Sequence, residues 1–405
     1  MRLLHTADWH LGHTLGDYDR SEEHAAFLDF LLEQIEINSV DALLIAGDIF
    51  ETANPPVRAE RTWYDFLARA RARFPSLDIV AIGGNHDSAP RLDAPRPVLS
   101  TFGVRVVGGL PFRSGKQIDT GGVLVPLHDQ QGIAAWVIAV PYLRAGDLPS
   151  VPSGHPVHGG VRAVYQTLLA AARERIEPGV ALIGMGHLHA EGGSESPDSE
   201  RKVFGHALQA DALFGDAFAY VALGHLHKAQ ELAPGVRYSG SPIPLSMTER
   251  TYEHQVLLVE LEGEELVSTT PILVPRMVDL LRIPDEGELP LGAVLERLSS
   301  LPDRDLANRT PPFLEVRVSL EQPEPTLRRR IEDAIEAKAV RLLRVRTAYT
   351  GSGEALTSPE VLQDLEVEDV FLRMWAKDHS DPPPDTVIDA FRSLLDDAAS
   401  LGQSA

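Results

Sequence analysis

Five short segments of this chain carry side chains that can bind a metal ion, and each segment follows an apolar run. The candidate ligands are Asp8 and His10 in DWHLG, Asp48 in GDIFE, Asn85 in GNHD, His187 in GMGH, and His225 and His227 in the second GHLH. A glycine beside a ligand lets the backbone turn sharply and approach an ion without a Cβ clash. Loops that follow the carboxyl ends of neighbouring strands converge at one edge of a sheet, so these distant ligands are predicted to meet there.

The number of ligands indicates two metal ions. Two carboxylates, one amide oxygen and four imidazoles exceed the four positions of one tetrahedral ion, and they can supply two ions that share a carboxylate. Asp48 is the single ligand on its loop and is predicted to be the shared one. The chain has no cysteine. Nitrogen and oxygen ligands without thiolate suit manganese, iron or zinc better than calcium or magnesium, and two Mn²⁺ ions are our first choice.

Two adjacent ions are suited to phosphoryl chemistry because they can prepare a hydroxide and neutralise developing charge. His86 directly follows a ligand in GNHD. We interpret it as a catalytic histidine that does not bind metal and that stabilises the phosphate or protonates the leaving oxygen. Asp87 is predicted to orient His86, as carboxylates often do for active-site histidines. Each motif alone could be a simple strand-end cap, but five in this order indicate a site.

The elements that must position these ligands alternate strand-like and helical patterns over residues 1–275. Apolar runs such as ALLIAGD and DIVAIGG alternate with amphipathic stretches such as SEEHAAFLDFLLEQIEI. Closely spaced strands follow near residues 105–140. The pattern predicts an α/β fold whose core is a two-sheet β-sandwich flanked by helices.

Two smaller units are predicted after the core. Residues 276–350 are expected to form an α+β capping domain, in which PFLEVRVSL alternates apolar and polar side chains. Arg344 and Arg346 share one face of the next strand, and we weigh a DNA-backbone contact there evenly against a solvated, salt-bridged surface. Residues 354–405 are acidic and contain two helical patterns around SDPPPD. They are expected to form a helical hairpin, either folded onto the chain or docked on a partner, and we favour docking.

Composition limits the classes of function. With 405 residues, 43% hydrophobic and 24% charged, the chain reads as an ordinary soluble globular protein. Neither a secretory leader nor an apolar run of bilayer length is found in the sequence, so a cytoplasmic location without membrane association is expected. A formal net charge of −22 argues against bulk electrostatic coating of nucleic acid. A nuclease stays possible because metal ions supply positive charge locally.

The motifs DWHLG, GDIFE, GNHD, GH and GHLH together resemble the calcineurin-like metallophosphoesterase superfamily. The segments LHTADWHLG, YLR at 142–144, ALGHLHKAQ and YSGSPIPLSMTE are similar to one branch, the SbcD-type nuclease subunits. The resemblance runs along the whole chain. It implies a dimanganese site carried by the seven ligands above, with His86 catalytic.

The same resemblance implies what the site acts on and what the chain assembles with. It implies 3′ to 5′ exonuclease action on double-stranded DNA and endonuclease action on single strands and hairpins, in DNA repair, recombination and replication. It also implies a homodimer within a heterotetramer, in which an SbcC-type ABC ATPase receives the C-terminal helices. The sequence has no P-loop motif, which agrees with ATP being handled by that partner.

The sequence leaves open two alternative functions and the roles of His189 and Glu51. The alternatives are a phosphoesterase acting on a cyclic nucleotide or a phosphoprotein, and a non-catalytic scaffold that keeps the metal fold. His189, in the first GHLH, is expected to lie beside the site without binding metal. Glu51 replaces a histidine that some relatives carry after the GD motif, so we leave it out of the catalytic set.

Overall fold

The structure is a computed structural model that describes residues 1–114, 117–149, 156–194, 196, 213–304, 310–349 and isolated positions between 371 and 391. Its strands are β1 (Arg2–Thr6), β2 (Thr14–Leu15), β3 (Tyr18–Asp19), β4 (Ala42–Ala46), β5 (Asp78–Ile82), β6 (Val104–Val107), β7 (Phe112–Arg113), β8 (Gln117–Ile118), β9 (Leu124–Asp129), β10 (Gly132–Ala139), β11 (Ala181–His187), β12 (Tyr220–Gly224), β13 (Gln230–Ala233), β14 (Val236–Tyr238), β15 (Gln255–Glu262), β16 (Glu265–Leu273), β17 (Leu280–Ile283), β18 (Leu289–Pro290), β19 (Phe313–Leu320) and β20 (Arg341–Tyr349).

The helices lie mostly between the strands of the first half. They are α1 (Ser21–Ile37), α2 (Val57–Arg73), α3 (Ala89–Asp93), α4 (Arg96–Leu99), α5 (Thr120–Val123), α6 (Pro156–Arg173), α7 (Leu291–Ser299) and α8 (Leu327–Ile335), with 3₁₀ turns at Ser100–Phe102, Ala145–Asp147, Gly215–Ala217 and Met247–Thr251. Among the described helices, none has the length and apolar composition required to cross a membrane.

Two six-stranded sheets form the core of the fold. The first has the order β16-β15-β1-β4-β5-β6 and the second the order β13-β14-β12-β11-β10-β9. In the first, β1, β4, β5 and β6 run parallel, and in the second β10, β11, β12 and β14 do so. Parallel neighbours bring their carboxyl ends to one edge, so each sheet has an edge at which loops can gather.

Alternation along the strands explains why both faces of the first sheet are covered. Leu3 and Leu44 point toward the second sheet and pack with residues such as Val137. Leu4 and Leu43 point to the other face and join the buried side chains of the flanking helices α1 and α2. Successive side chains of a strand face opposite ways, which makes this two-layer burial possible. The predicted two-sheet core with outer helices is confirmed.

A third sheet, formed by β17, β18, β19 and β20, lies beyond the core. All its pairings are parallel, with β17 and β18 on one side of β19 and β20 on the other. Helices α7 and α8 cover the face that carries Leu314, Val316 and Val318, which are fully buried. The described part of the predicted capping domain therefore combines a parallel sheet with two helices on one of its faces.

The cap packs on the core beside the segment that follows His10. The rings of Tyr18 and Phe313 lie 5.3 Å apart, and Leu15 and Met247 are buried with Phe313. The predicted helical hairpin of residues 354–405 lies for the most part outside the described residues. Within them, the rings of Phe371 and Phe391 stack with centroids 4.1 Å apart.

Candidate metal centre

The predicted ligands lie on loops at the carboxyl edges of the two core sheets. In the first sheet, the loops after β1, β4 and β5 carry Asp8, Asp48 and Asn85. In the second, His187 ends β11 and His225 follows β12. Backbone hydrogen bonds join the first two loops, since Asp8 N donates to Gly47 O at 3.0 Å and His10 N to Asp48 O at 3.0 Å.

The two sheets come so close at this edge that there is no room for a side chain at Gly224. A Cβ added to Gly224 would lie 1.9 Å from the carbonyl oxygen of Ala46, a residue of the other sheet. The backbone N–H of His225 donates to Asp8 Oδ1 at 2.9 Å across the same gap. Glycine is therefore required before this ligand because any larger residue would separate the sheets and the ligands they carry.

Backbone strain is concentrated on the predicted ligands. Among the described residues, five that are not glycine have a positive φ, and four of these are predicted ligands. The four are Asp8 (55°), His10 (48°), Asp48 (47°) and His225 (107°). Such conformations are uncommon for residues with a side chain and persist where the surrounding structure enforces them, as at functional sites.

The seven predicted ligands form two groups that share Asp48. The first group, called position 1, contains Asp8, His10 and His227, whose ligand atoms lie within 4.8 Å of one another. The second, called position 2, contains His187 and His225 together with Asn85. Asn85 Oδ1 lies 2.9 Å from His187 Nε2 and 3.1 Å from His225 Nδ1.

Asp48 lies between the two positions. Its Oδ2 is 3.6 Å from His10 Nε2 in position 1 and 3.3 Å from His187 Nε2 in position 2. It also forms a ligand-type group with His187 and His225 within 4.8 Å. A carboxylate at this place can contact two ions at once, which is the arrangement required of a bridging ligand.

Polar atoms in position 1 are buried without a partner. Asp8 Oδ2 and His10 Nε2 are enclosed, and neither has a hydrogen bond within the described part of the chain. A buried polar group costs free energy unless it is paired or coordinates a metal. The oxygen and nitrogen donors present fit a pair of divalent cations, which would meet this requirement.

The pKa values show how strongly two of the buried charged groups interact. Burial alone would raise the pKa of Asp48, but the charge of His187 beside it holds that pKa well below its usual value. Burial alone would lower the pKa of His187, and Asp48 instead raises it to about 9. These opposite shifts show a strong electrostatic interaction between Asp48 and His187, two of the predicted ligands.

His86 lies against the ligands, and its ring is held by a backbone carbonyl. Its ring centroid is 4.7 Å from that of His10, and its backbone N–H donates to Asp48 Oδ1 at 2.9 Å. Nδ1 donates to the carbonyl oxygen of Glu51 at 2.7 Å. The side chain is 6% exposed, so it lies inside the site and not on the surface.

The prediction that Asp87 orients His86 is wrong. The Asp87 carboxylate accepts hydrogen bonds from the backbone N–H groups of Gly84 at 2.8 Å, Phe50 at 3.0 Å and Ile49 at 3.1 Å. Its side chain turns back under its own loop because these amides satisfy a buried carboxylate better than one imidazole can. Asp87 therefore joins the loops that carry Asp48 and Asn85.

Sequence reasoning missed two glutamates that hold ligand histidines. Glu51 Oε2 accepts a hydrogen bond from His10 Nδ1 at 2.9 Å, and Glu249 Oε1 accepts one from His227 Nδ1 at 2.9 Å. Burial alone would raise the pKa of Glu51, but the hydrogen bond and charge of His10 bring it down to about 2. For Glu51, the signal available in the sequence was an acidic residue three positions after the predicted ligand Asp48.

The remaining predicted residues lie at the edge of the site or away from it. The ring of His189 is 6.3 Å from that of His225, outside the ligand groups found among the described residues. Arg344 and Arg346 lie in the cap and surround the buried carboxylate of Glu315, with Arg346 Nε 3.6 Å from Glu315 Oε2. This ion-pair cluster is the salt-bridged arrangement weighed above, and DNA contact by the two arginines stays a prediction.

The fold and the site define a metallophosphoesterase, and comparison with known families agrees. The profile described as calcineurin-like phosphoesterase matches residues 1–229, and the profile described as type 5 capsule protein repressor C-terminal domain matches residues 276–379. Because the first match covers more than half of the chain, the chain belongs to the calcineurin-like phosphoesterases. It is a hydrolase that acts on phosphodiester bonds.

More specific relatives share one name, the SbcD subunit of the nuclease SbcCD. The SbcD protein of Rhodobacter capsulatus is 42% identical over 372 residues, which cover 89% of this chain and 88% of that protein. The SbcD protein of Escherichia coli K12 is 31% identical over 404 residues, 94% of each chain. The chain belongs to this family of nuclease subunits. Among solved structures, a dimetal phosphatase from Danio rerio matches with a TM-score of 0.37 at 13% identity, covering 68% of this chain and 99% of that chain.

Proposed function

We propose that this chain is the manganese-dependent nuclease subunit of an ATP-dependent SbcCD-type complex and works on DNA in the cytoplasm. The proposed activities are 3′ to 5′ exonuclease action on double strands and endonuclease action on single strands and hairpins, in repair, recombination and replication. The observation that carries the proposal is the meeting of seven ligand side chains and His86 at the edge shared by two sheets, in a chain that belongs to a nuclease family.

Proposed roles follow from the contacts of each residue. Two divalent ions would be held by the ligands of positions 1 and 2 with Asp48 shared, and when bound they supply the nucleophile and neutralise the phosphate. His86 protonates the leaving oxygen or binds the phosphate. Its Nδ1 donates to the carbonyl of Glu51, which assigns the exchange of a proton with substrate to Nε2. Asp87 keeps the loops of Asp48 and Asn85 in register.

The partners are proposed from the named relatives. An SbcC-type ABC ATPase would bind the C-terminal helices and hydrolyse ATP, and the core would form the homodimer of a heterotetramer. Arg344 and Arg346 would contact the DNA backbone. The parallel stack of Phe371 on Phe391 supports a hairpin that could serve as the docking element.

Replacing His86 tests the proposal. His86→Ala is expected to keep two bound ions and the fold while DNA cleavage falls about 10²- to 10⁴-fold, the usual contribution of general acid–base catalysis. Metal content and cleavage of linear duplex ends are measured together in Mn²⁺. His128→Ala is the matched control, because His128 is half-exposed and pairs with Asp78 far from the ligands.

Three outcomes would contradict this assignment. If metal content falls together with activity, His86 is a ligand, as its group with His10 and Asp48 would allow. If the wild-type protein hydrolyses cyclic nucleotides in Mn²⁺ and leaves linear and hairpin DNA intact, it is a phosphoesterase for small substrates. A protein that binds both ions and hydrolyses neither class of substrate would be a scaffold.

A further inference from the structure

The two metal positions differ in what lies behind their histidine ligands. In position 1, each imidazole donates a hydrogen bond from Nδ1 to a carboxylate. His10 donates to Glu51 and His227 to Glu249, both at 2.9 Å. A carboxylate behind a ligand histidine fixes the tautomer, directs Nε2 at the ion and makes the ligand more basic. Both histidines of position 1 therefore have anionic support.

In position 2, the second nitrogen of His187 has a neutral partner instead. His187 Nδ1 donates to the backbone carbonyl of Ala46 at 2.9 Å. His225 Nδ1 lies 3.1 Å from Oδ1 of Asn85, a ligand of the same position, so this nitrogen faces the ion and not a group behind the ring. The nearby carboxylate of Asp87 is occupied by three backbone N–H groups of the loops. It lies behind the shared ligand Asp48 and so does not distinguish one position from the other.

Burial strengthens the effect of the carboxylates behind the histidines of position 1. Glu249 is fully buried and also accepts hydrogen bonds from Leu245 N at 2.8 Å and Ser241 Oγ at 3.3 Å, which favour its charged form. The Glu51 side chain is 30% exposed. In a site of low effective dielectric, a negative charge attracts a dication much more strongly than it does in water. Position 1 is thus faced by four carboxylates, Asp8, Asp48, Glu51 and Glu249. Position 2 is faced by Asp48, with Asp8 Oδ1 4.0 Å from Nδ1 of His187.

We propose that Glu51 and Glu249 are positioning residues that make position 1 the tight, first-filled metal position and leave position 2 as the weaker, exchangeable one. This inference rests on the two-metal site of the proposed function, but it does not depend on DNA being the substrate. Because phosphoryl chemistry of this type uses both ions, activity follows the filling of position 2.

Direct metal binding tests the proposal. Protein freed of metal by chelation is titrated with Mn²⁺, and free Mn²⁺ is measured by its electron paramagnetic resonance signal. Two classes of site are expected, one per ion. His10→Ala should abolish the tight class, and His187→Ala should abolish the weak class, which assigns each class to a position.

Charge-neutralising variants then test the two glutamates. Glu51→Gln and Glu249→Gln should each weaken the tight class about 10- to 100-fold, the usual effect of losing a group that supports a metal ligand, with the weak class changed less than about 3-fold. Glu60→Gln is the control, since Glu60 has a similar exposure of 26% but pairs with Arg91. If Glu249→Gln fails to fold, the partly exposed Glu51→Gln carries the test alone.

The outcomes separate this proposal from the proposed function. Two classes of equal affinity would overturn it, and so would glutamate variants that weaken both classes equally or neither. A protein that shows the predicted classes and yet cuts no DNA would uphold the metal asymmetry and overturn only the nuclease assignment.

Discussion

Gly47→Ala should displace a metal ligand that lies far away in the sequence. Gly47 has a φ of +94°, and an added Cβ would lie 2.2 Å from Nδ1 of His187. The left-handed backbone costs an alanine about 1–2 kcal/mol. The ring of His187 must also retreat by about 1 Å, which breaks its hydrogen bond to Ala46 O and costs about 1 kcal/mol more. The expected loss of unfolding free energy is about 2–3 kcal/mol.

Gly179→Ala provides the control, because the two costs can be separated. Gly179 has a φ of +85°, and a Cβ there would have nothing within 4 Å. This variant should therefore show only the backbone cost of about 1–2 kcal/mol, without any effect on metal. The difference between the two alanine variants isolates the contact with His187.

Two measurements check the prediction for Gly47→Ala. Urea unfolding of the metal-free proteins gives the free-energy losses, and Mn²⁺ titration gives the affinities. Position 2 should be weakened at least about 10-fold in Gly47→Ala, because a ligand displaced by about 1 Å no longer meets the ion. Position 1 should keep its affinity. Wild-type affinity at both positions in Gly47→Ala would refute the reasoning from the Cβ contact.

Two further predictions concern stability and DNA binding. Burial lowers the pKa of His5 from 6.5 to about 3, so the fold keeps this histidine neutral while the unfolded chain takes up a proton below pH 6.5. The protonation of His5 in the unfolded chain should lower the free energy of unfolding by about 2 kcal/mol between pH 7.5 and 5. In urea titrations, the unfolding free energy of His5→Asn should therefore fall about 2 kcal/mol less over this range than that of the wild type. Equal pH dependences of the two proteins would contradict the prediction. Arg344→Gln with Arg346→Gln should weaken DNA binding and reduce the slope of log affinity against log salt by about 1.8 if both arginines contact phosphate, and an unchanged slope would show that they serve only Glu315.

Much of the fold could be predicted because its signals are local. Apolar runs separated by amphipathic helices specify parallel strands, and α1 occupies Ser21–Ile37, the stretch whose pattern predicted a helix. In β19, alternation placed Leu314 and Val316 on the buried face. The same alternation placed Glu315 on the polar face, but that carboxylate is fully buried among arginines of β17 and β20. Neighbouring strands decided its burial, and no local pattern carries that information.

The sequence by itself determined which side chains could bind metal, because all of them follow the ends of apolar runs, and Asp48, Asn85, His187 and His225 each directly follow a glycine. Only the tertiary structure decided how they are grouped. His225 and His227 are two residues apart, yet they face different positions, since the strand before them ends where the two sheets nearly touch at Gly224. Glu249 reaches His227 from the 3₁₀ turn Met247–Thr251, and Asp87 reaches the Asp48 loop from the loop after the neighbouring strand of the same sheet. A hydrogen bond between distant loops depends on how the strands and sheets are arranged in space, which spacing along one chain does not encode.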